Sequence, residues 1–362
     1  MKKRDNHLKG LKVVELAGVL AGPSAGLFLA EMGASVIKVE NKRTGGDVTR
    51  SWKLPSEKKI ESTSAYYHSV NFHKKVLFAD FSNINDLTKI KKIIAGSDIV
   101  LANFKKTQEK KYGFTWTELK KINPKLIYAT ITGFGENSDR TAYDLILQAE
   151  SGFMSMNGNE KSGPLKIPVA LIDILAGHQL KEGILIALLK RQKTGKGSKV
   201  SVSLYDSALA SLANQSSNYL NTGFVPGLQG SLHPNIAPYG EVFLTKDKKK
   251  IVFAIGSDQQ FKKLCELLKL SKYSDSIKYA TNQNRVKNRK SLSKILENNI
   301  KDIPSNILLS ECIKNEIPAG IIKNLKDVFK EESARKLVVS KKYKNKNVSY
   351  VKSTVFKLSN LE

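Results

Sequence analysis

Residues 11–40 read LKVVELAGVLAGPSAGLFLAEMGASVIKVE, and this stretch decides the fold class. Two apolar runs that contain β-branched residues, 11–17 and 35–40, have the composition of short buried strands. Between them, residues 23–32 open with Pro23 and are followed by a glycine, a pattern typical of a short helix. The stretch therefore predicts a strand, a helix and a second strand, which together form a βαβ unit with a right-handed crossover.

Strand and helix patterns keep alternating after this unit. Further strands are predicted over 76–80, 98–102 and 126–132, and further helices over 83–95, 115–122 and 143–152. A long buried helix then follows Asp173 up to about Arg191, with Gly195 as its stop signal, and a strand over 199–204 comes next. Such alternation predicts a parallel sheet with helices on both faces.

The composition changes in the second half of the chain. Residues 214–238 are rich in Asn, Ser, Gly and Pro and are predicted to be a linker. Beyond it a smaller α+β region is predicted from two strands and a helix, near 240–245, 250–255 and 258–269. The predicted fold is therefore α/β, with a large domain over 1–213, the linker, and a small α+β domain over 239–325.

The composition is that of a soluble globular protein, with 41% hydrophobic and 26% charged residues in 362 positions. No apolar run reaches the roughly 20 residues of a membrane span. The basic start, 1–7, precedes an apolar region, but Lys12 and Glu15 interrupt that region, which argues against a signal peptide. Two cysteines, Cys265 and Cys312, cannot form a disulfide framework. We therefore expect a cytoplasmic protein with no membrane partner.

The net charge of +27 raises the question of nucleic-acid binding. Almost all of the positive charge comes from lysine, whereas base reading and bidentate phosphate contacts favour arginine. Dispersed lysines are typical of solvated helix surfaces, and they would attract an anionic small molecule to a cleft. We predict no nucleic-acid partner. The competing hypothesis, a non-catalytic basic binder, predicts retention on DNA with a steep salt dependence.

One carboxylate, Asp173, interrupts an otherwise apolar run, Pro168-Val-Ala-Leu-Ile-Asp173-Ile-Leu-Ala-Gly177. It stands where a strand-like segment changes into a helix-like one. An acid among Leu and Ile loses hydration, while the free amides of a helix start favour its ionised form. Both effects suit a nucleophilic carboxylate. The position also suits a helix N-cap, for which Asp is a favoured residue, and these residues alone leave both interpretations open.

Two short motifs point to other chemistry. Gly22-Pro-Ser24-Ala-Gly26 matches the G-x-S-x-G pattern of a nucleophile elbow. Because it follows the first strand, no earlier segment supplies an oxyanion loop, and a serine hydrolase that uses Ser24 is the alternative from a different class. Gly18 and Gly22 do not form the G-x-G-x-x-G fingerprint of a dinucleotide site. The five histidines, at 7, 68, 73, 178 and 233, lack metal-ligand spacing, so no metal site is predicted.

Many short segments, taken in order, resemble the class III CoA-transferases, the family of formyl-CoA transferase and carnitine CoA-transferase. The matching segments fall at 8–14, 21–23, 33–40, 46–50, 103–104, 113–116, 123–124, 132–135, 143–144, 148–152, 173, 194–197, 204–206, 237–239 and 317–320. Each is short, but so many in one order are specific. The resemblance covers about residues 8–358.

The resemblance implies a Rossmann-like large domain, a linker, a smaller domain and a C-terminal segment, 326–362, that returns to the large domain. It implies a ring-shaped chain, two of which interlock as a homodimer. Asp173 matches the family's catalytic aspartate, which attacks an acyl-CoA thioester to give an aspartyl anhydride and then an aspartyl-CoA thioester. The implied activity moves coenzyme A from an acyl-CoA donor to a carboxylic acid acceptor, without a metal. The chain ends at Glu362, short of the C-terminal helix usual in the family.

The resemblance also implies a coenzyme A site. Its residues, carried over one position at a time, are Leu20, Ala21, Asn41, Ala79, Asn103, Phe104, Lys105, Lys111, Tyr112, Thr141, Tyr143 and Asp144. Lys105 and Lys111 would neutralise phosphates. Formyl-CoA transferase has Arg in place of Asn41 and Lys111 and Gln in place of Leu20, so a formyl and oxalate pair is not expected. Related α-methylacyl-CoA racemases carry His in place of Tyr143; an acyl-CoA racemase or epimerase is the alternative within this fold.

Overall fold

The computed structural model describes residues 6–58, 62–343 and 346–358. The basic residues 1–5, which bear on the signal-peptide expectation, lie outside the described residues. The same holds for residues 359–362, which bear on the expectation about the chain end.

The described residues form two compact units. The first takes its residues from Met1–Phe153, Lys166–Asn214 and Arg335–Glu362, and the second from Met154–Leu165 and Gln215–Ala334. The domain boundaries given by the sequence, at 213, 238 and 325, stay predictions.

The first unit is built on a six-stranded parallel sheet. The strands of the chain are β1 (Lys12–Glu15), β2 (Ser35–Asn41), β3 (Lys75–Ala79), β4 (Ile99–Ala102), β5 (Ile127–Thr132), β6 (Gly158–Asn159), β7 (Gly163–Pro164), β8 (Ser198–Ser203), β9 (Tyr239–Leu244), β10 (Lys250–Ala254), β11 (Ala319–Ile321), β12 (Val338–Tyr343) and β13 (Lys346–Val351). The sheet has the order β3-β2-β1-β4-β5-β8, with every neighbouring pair parallel. The strand order reverses between β1 and β4, and ligands of such sheets bind beside the carboxyl ends of the strands at that point.

Helices cover both faces of this sheet, as predicted. The helices of the described part of the chain, in both units, are α1 (Ala21–Glu31), α2 (Ala65–Asn71), α3 (Ile84–Ala95), α4 (Lys106–Tyr112), α5 (Trp116–Ile122), α6 (Asp144–Glu150), α7 (Phe153–Met156), α8 (Leu171–Thr194), α9 (Leu204–Ala210), α10 (Ala213–Thr222), α11 (Asp258–Leu267), α12 (Ser271–Ser274), α13 (Asn282–Lys287), α14 (Arg289–Ile300), α15 (Ser305–Lys314), α16 (Leu325–Val328) and α17 (Glu332–Lys336). Val13 and Val14 point to opposite faces, because they belong to different apolar clusters, one with α1 and α8 and one with α3 and α5. No helix of the described part of the chain is long and apolar enough to cross a membrane.

The second unit contains a small antiparallel sheet of order β11-β10-β9. Phe243 and Phe253 from its strands pack with Leu264 of α11 and Leu296 of α14 in a separate buried cluster. The two-residue strands β6 and β7 pair as a separate antiparallel hairpin within the same unit. Strands and helices are therefore segregated here, as in an α+β region.

The C-terminal hairpin β12–β13 belongs to the first unit. The Tyr350 ring stacks on Phe72 with 4.3 Å between ring centroids. Glu31, at the end of α1, accepts hydrogen bonds from the Tyr350 hydroxyl and from the backbone and hydroxyl groups of Ser353 and Thr354. One buried carboxylate thus anchors the segment that follows the hairpin.

The predicted strands of the first unit are confirmed to within two residues at each end. The structure differs from the sequence-based expectation in three details. The strand-like segment before Asp173 is not a strand, because α8 already begins at Leu171. The segment predicted as a linker opens with a helix, α10, over Ala213–Thr222. The long helix α8 is also less buried than predicted, since Ile186 and Leu189 are exposed.

Candidate functional site

A cavity of about 310 Å³ lies at the carboxyl ends of β1, β4 and β5, beside the point where the strand order reverses. Its lining comes from the loops after these strands, from Asp173 of α8 and from Lys199 of β8. All of these residues belong to the first unit. The cavity therefore occupies the position in which α/β sheets of this kind bind ligands.

Asp173 lines this cavity as the third residue of α8. The residue is only 7% exposed, and within the described residues no hydrogen bond or ion pair reaches its carboxylate. The N-cap of the helix is Ala170, so the N-cap interpretation of Asp173 is wrong. Buried carboxylates are almost always paired or hydrogen-bonded. An unpartnered one at the wall of a cavity is therefore a candidate for chemistry.

The start of α8 is bonded instead by Asp144, the first residue of α6. Its Oδ1 accepts the backbone N–H of Ile172 at 2.7 Å, and its Oδ2 accepts Nε2 of Gln148 at 2.6 Å. Gln148 in turn accepts the backbone N–H of Ile167 at 2.7 Å. These bonds fix the segment that leads into α8 and hence the direction of Asp173.

The pKa of Asp173 is raised to about 7, first by burial and then by the negative charge of Asp144. The helix amides do not offset the shift, because no backbone N–H donates to this carboxylate in the described residues. At neutral pH the group is therefore close to its own midpoint, a range in which active-site acids and bases often titrate. When ionised, it is a poorly solvated anion, which is a reactive state for a nucleophile.

The first turn of α1 and the second turn of α8 lie against each other at Gly177. A Cβ at this position would collide with the Ser24 hydroxyl and lie 3.0 Å from the carbonyl oxygen of Ala21. The Ser24 hydroxyl donates to that carbonyl at 2.8 Å, and no histidine of the described residues bonds to it. Ser24 is thus a residue of helix α1 rather than an activated elbow serine, and the hydrolase alternative gains no support.

The loop after β1 carries the start of α1 to the cavity and is fixed by side chains from distant segments. Asn103, directly after β4, accepts the Gly18 N–H and donates to the Gly18 carbonyl, both at 3.1 Å. The N–H of Val19 donates to the carboxylate of Asp47, at 3.2 Å to Oδ2. The loop after β1 is therefore held by one side chain that follows β4 and by another that follows β2.

Four cationic side chains line the same cavity: Lys105, Lys106, Arg140 and Lys199. Lys105 donates to the Thr141 hydroxyl at 2.9 Å and so joins the loops after β4 and β5. Lys199 pairs with Glu136 at 2.5 Å, and Arg140 pairs with Glu150. Lysine ammonium groups at a cavity attract phosphate or carboxylate groups of a ligand.

The model of CoA-transferase family III matches residues 8–361 of the chain. The chain belongs to this family. It is 39% identical to the succinate–glutarate CoA-transferase of Agrobacterium fabrum over 335 residues, which cover 91% of the chain and 83% of that protein. It is 36% identical to the human succinyl-CoA:glutarate CoA-transferase over 327 residues, which cover 90% of the chain and 73% of that protein. The crystal structure of a CaiB/BaiF family protein from Brucella suis, 37% identical, superposes with a TM-score of 0.84 over 98% of this chain and 93% of that one.

The family resemblance found in the sequence is thus confirmed, and the protein is a CoA-transferase. Its predicted site residues fall into two groups. Those that line the cavity are Leu20, Ala21, Asn103, Phe104, Lys105, Thr141, Tyr143 and Asp173. Those that lie outside its lining are Asn41, Ala79, Lys111, Tyr112 and Asp144.

One residue of the second group in this CoA-transferase, Tyr112, contacts a residue of the cavity lining. The ring of Tyr112, at the end of α4, lies 5.5 Å from the Phe104 ring and 5.3 Å from the Phe81 ring. Asn41 and Ala79 are the last residues of the paired strands β2 and β3. Phe104 therefore joins the cavity lining to the rings of Tyr112 and of Phe81, which follows β3. The ligand roles of both groups stay predictions.

Sequence reasoning missed several residues of the cavity wall, among them Lys106, Glu109, Glu136, Arg140 and Lys199. Nothing local distinguishes these residues in a chain so rich in lysine. The Tyr128 hydroxyl of β5 donates to the carboxylate of Glu109 in α4 at 2.7 Å, a contact between residues 19 positions apart. The usable signal was positional, because residues just after the strands of a parallel sheet meet at one edge.

Proposed function

We propose that this CoA-transferase moves coenzyme A from an acyl-CoA donor to a carboxylic acid acceptor through covalent intermediates on Asp173. The observation that carries the proposal is the buried, unpartnered carboxylate of Asp173 at the cavity wall. Family membership indicates the overall reaction, and the position of the Asp173 side chain supports its assignment as the nucleophile. Tyr143 also lines the cavity, but its side chain is half exposed.

The proposed chemistry is balanced in atoms and charge. The Asp173 carboxylate attacks the thioester carbonyl, which gives a mixed anhydride and a CoA thiolate. The thiolate attacks Cγ of Asp173, which gives an aspartyl-CoA thioester and releases the donor acid with one oxygen from the aspartate. The acceptor carboxylate attacks the same Cγ and expels the thiolate. The thiolate then attacks the acceptor carbonyl, which frees the new acyl-CoA and regenerates the carboxylate.

The chain supplies the surroundings for these steps. Burial leaves the attacking oxygen poorly solvated, and the start of α1 brings backbone amides of Leu20 and Ala21 to the same cavity. Such amides are suited to stabilise the oxyanions that form during acyl transfer. Lys105 and Lys106 are suited to the phosphates of coenzyme A or to a carboxylate of the acid.

We infer further that the two acids are dicarboxylic acids. The named relatives act on succinate and glutarate or their CoA esters, and the cavity contains several cations beside the nucleophile. A second carboxylate on the substrate would pair with one of them. The interlocked homodimer, the ring-shaped chain and the cytoplasmic location stay predictions that belong with this proposal.

The proposed intermediates make an isotope prediction. With succinyl-CoA as donor and glutarate labelled with oxygen-18 in both carboxylates as acceptor, a single turnover should leave one labelled oxygen on Asp173. In the following turnovers that oxygen should pass to the released succinate whenever it is the attacking oxygen, so label should appear in the succinate pool. The measurement is mass spectrometry of the digested protein and of the free acids.

The same digest contains a matched control, because Asp206 is also the third residue of a helix but is exposed. Its peptide should stay unlabelled. Glutaryl-CoA formation without label on Asp173 would contradict the covalent mechanism. If instead solvent deuterium enters the α-carbon of an acyl-CoA with no acid acceptor present, the racemase alternative is correct.

The raised pKa of Asp173 predicts the pH dependence of the reaction. Only the ionised carboxylate attacks, so kcat/KM for succinyl-CoA should fall about tenfold per pH unit below a pH of about 7. Asp144→Asn should move this acid limb to lower pH, because it removes the neighbouring charge while Oδ1 still accepts the Ile172 N–H. The measurement is a pH profile of both proteins, and identical acid limbs would exclude Asp173 as the titrating group.

A further inference from the structure

Val19, in the loop after β1, has an unusual backbone. Its φ is +70°, a left-handed value that L residues avoid because the Cβ approaches the following carbonyl oxygen. A β-branched residue is the least suited to this region, and such conformations persist only where the surroundings enforce them. Strain of this kind clusters at functional sites. The loop that contains Val19 lines the cavity together with Asp173.

Asp47 is the side chain that holds this conformation. The Val19 N–H donates to its carboxylate at 3.2 and 3.4 Å to the two oxygens. Asp47 is buried and is itself fixed by the ammonium of Lys38, whose Nζ lies 2.9 Å from Oδ2, and by the Thr49 backbone and hydroxyl. Burial alone would raise the pKa of Asp47, but the attraction of Lys38 and these hydrogen bonds outweigh it and lower the pKa. The carboxylate is therefore ionised and stationary.

The position of Asp47 is set by the turn that precedes it. Gly46 has a φ of +100°, and a Cβ there would collide with the Glu40 carboxylate. Glu40 accepts the Asp47 N–H at 2.9 Å and pairs with Arg50. Only glycine fits at position 46, so the turn fixes the orientation in which Asp47 meets the loop that contains Val19.

The conformation of Val19 determines where the start of α1 lies. Leu20 and Ala21 follow directly, and α1 has no side-chain cap at Leu20. Both residues line the cavity with Asp173. The Tyr66 hydroxyl lies within the electrostatic field of both carboxylates. Burial, followed by the negative fields of Asp173, Asp144 and Asp47, raises the pKa of the Tyr66 hydroxyl to about 12. Asp47 and Asp173 thus both influence the Tyr66 hydroxyl.

We propose that Asp47 is a positioning residue of CoA transfer: by holding the Val19 N–H in a left-handed backbone, it aims the first amides of α1 at the acyl group on Asp173. This inference rests on the proposed function. Asp47 does not contact the reacting atoms. Its contribution is to keep the Leu20 and Ala21 backbone in the place where the oxyanions form, because a displacement of about 1 Å costs about 10²-fold in rate.

The test compares Asp47→Ala, Asp47→Asn and Val19→Gly, singly and with Asp47→Ala combined with Val19→Gly. Asp47→Ala should lower kcat for transfer from succinyl-CoA to glutarate by about 10²-fold with KM near the wild-type value. Asp47→Asn keeps an oxygen for the Val19 N–H and should lose less. Val19→Gly should restore about tenfold of the lost kcat in the double variant, because glycine adopts a positive φ without strain.

A matched control separates positioning from general stability. Glu31→Gln removes the charge of an equally buried carboxylate that anchors the C-terminal segment and lies outside the cavity lining. It should lower the melting temperature and leave kcat of the folded enzyme unchanged. A kcat loss in Asp47→Ala that Val19→Gly does not rescue, or that Glu31→Gln reproduces, would overturn the proposal.

Hydrogen exchange gives a second readout that does not depend on activity. In the protein without substrate, Asp47→Ala should speed amide exchange in the peptide over 16–27 and leave the peptide over 346–356 unchanged. Unchanged exchange at 16–27 would also overturn the proposal. Failure of the isotope transfer to Asp173 in the wild-type enzyme would instead count against the proposed function, so the two failures are distinguishable.

Discussion

Asp173→Asn is expected to lower kcat for transfer from succinyl-CoA to glutarate by about 10⁴-fold or more. The asparagine amide has almost the volume of the carboxylate but lacks the anionic oxygen that the proposed anhydride requires. Substrate binding should persist, because the loops with Lys105 and Asn103 are untouched. The measurement is chromatography of glutaryl-CoA over time. It is paired with the affinity for coenzyme A, measured by calorimetry.

The same substitution should make the protein more stable at pH 8. In the folded protein the pKa of Asp173 is about 7, against 3.8 for an unperturbed aspartate. A folded state that binds the proton more tightly than the unfolded state loses stability as pH rises through this window, and the loss is complete above the folded pKa. Removing the charge should therefore raise the free energy of unfolding by about 2 to 4 kcal/mol at pH 8. The gain should vanish below about pH 4.

Asp206→Asn is the matched control for both halves of this prediction. Asp206 is the third residue of α9, as Asp173 is of α8, but it is exposed. An exposed acid in a first helical turn is favourable, so its loss should destabilise the protein by less than about 1 kcal/mol. An Asp173→Asn protein that is less stable than wild type at pH 8, or that retains about one-hundredth of the activity, would contradict the role proposed for this carboxylate.

The sequence predicted the framework of this site because that framework is encoded locally. The apolar runs of β1 and β2 and the proline and glycine around α1 are short-range signals, and a βαβ unit follows from them. The position of the cavity then follows from topology, since residues after parallel strands share an edge. Asp173 stood out for a local reason too, as the single acid in an apolar run.

What the sequence could not predict depends on contacts between distant residues. Asp144 bonds the start of α8 through Ile172, 28 positions away, so the capping preference of Asp173 was misleading. Helix α10 has the composition of a linker, but its polar groups bond back to their own helix, as when Thr222 donates to the carbonyl of Asn218. Composition alone does not distinguish these two outcomes.

The charged residues inside the strands were the least predictable feature. Glu15 and Lys38 are charged residues in the otherwise apolar strands β1 and β2, a residue type that is rarely fully buried unless it is paired. In the structure they are buried in an ion-pair network with Asp47 and Lys74, which come from two other segments. A pattern within one strand carries no information about partners supplied by others.

Lys38→Met is expected to lower the free energy of unfolding by about 3 to 5 kcal/mol. The Lys38 ammonium lies 3.0 Å from Glu15 Oε1 and 2.9 Å from Asp47 Oδ2, and it donates to the Ala17 carbonyl at 2.8 Å. With Lys74 the network is neutral, and its side chains are at most 1% exposed. Removing one ammonium leaves an uncompensated negative charge in a medium of low dielectric.

The arrangement also predicts how the loss is recovered. Glu15→Gln in the Lys38→Met background removes the excess charge, so the double variant should be more stable than the single one, and a double-mutant cycle should show coupling of at least about 1 kcal/mol. The coupling is expected because Glu15 and Asp47 both attract the Lys38 ammonium. Burial alone would lower the pKa of Lys38, but this attraction outweighs burial and raises the pKa. The pKa of Lys74 is lowered to about 8, mainly by burial.

Lys42→Met is the control. It is the same substitution at the residue that follows β2, but the Lys42 side chain is 52% exposed. Lys42 pairs with Asp86 at 3.3 Å, and an exposed pair contributes less than about 1 kcal/mol. Urea denaturation at pH 7 measures both variants. Equal shifts for Lys38→Met and Lys42→Met would mean that the buried network adds nothing to the fold. A large shift for Lys38→Met alone would mean that the buried ion pairs of Lys38 help to hold the sheet together.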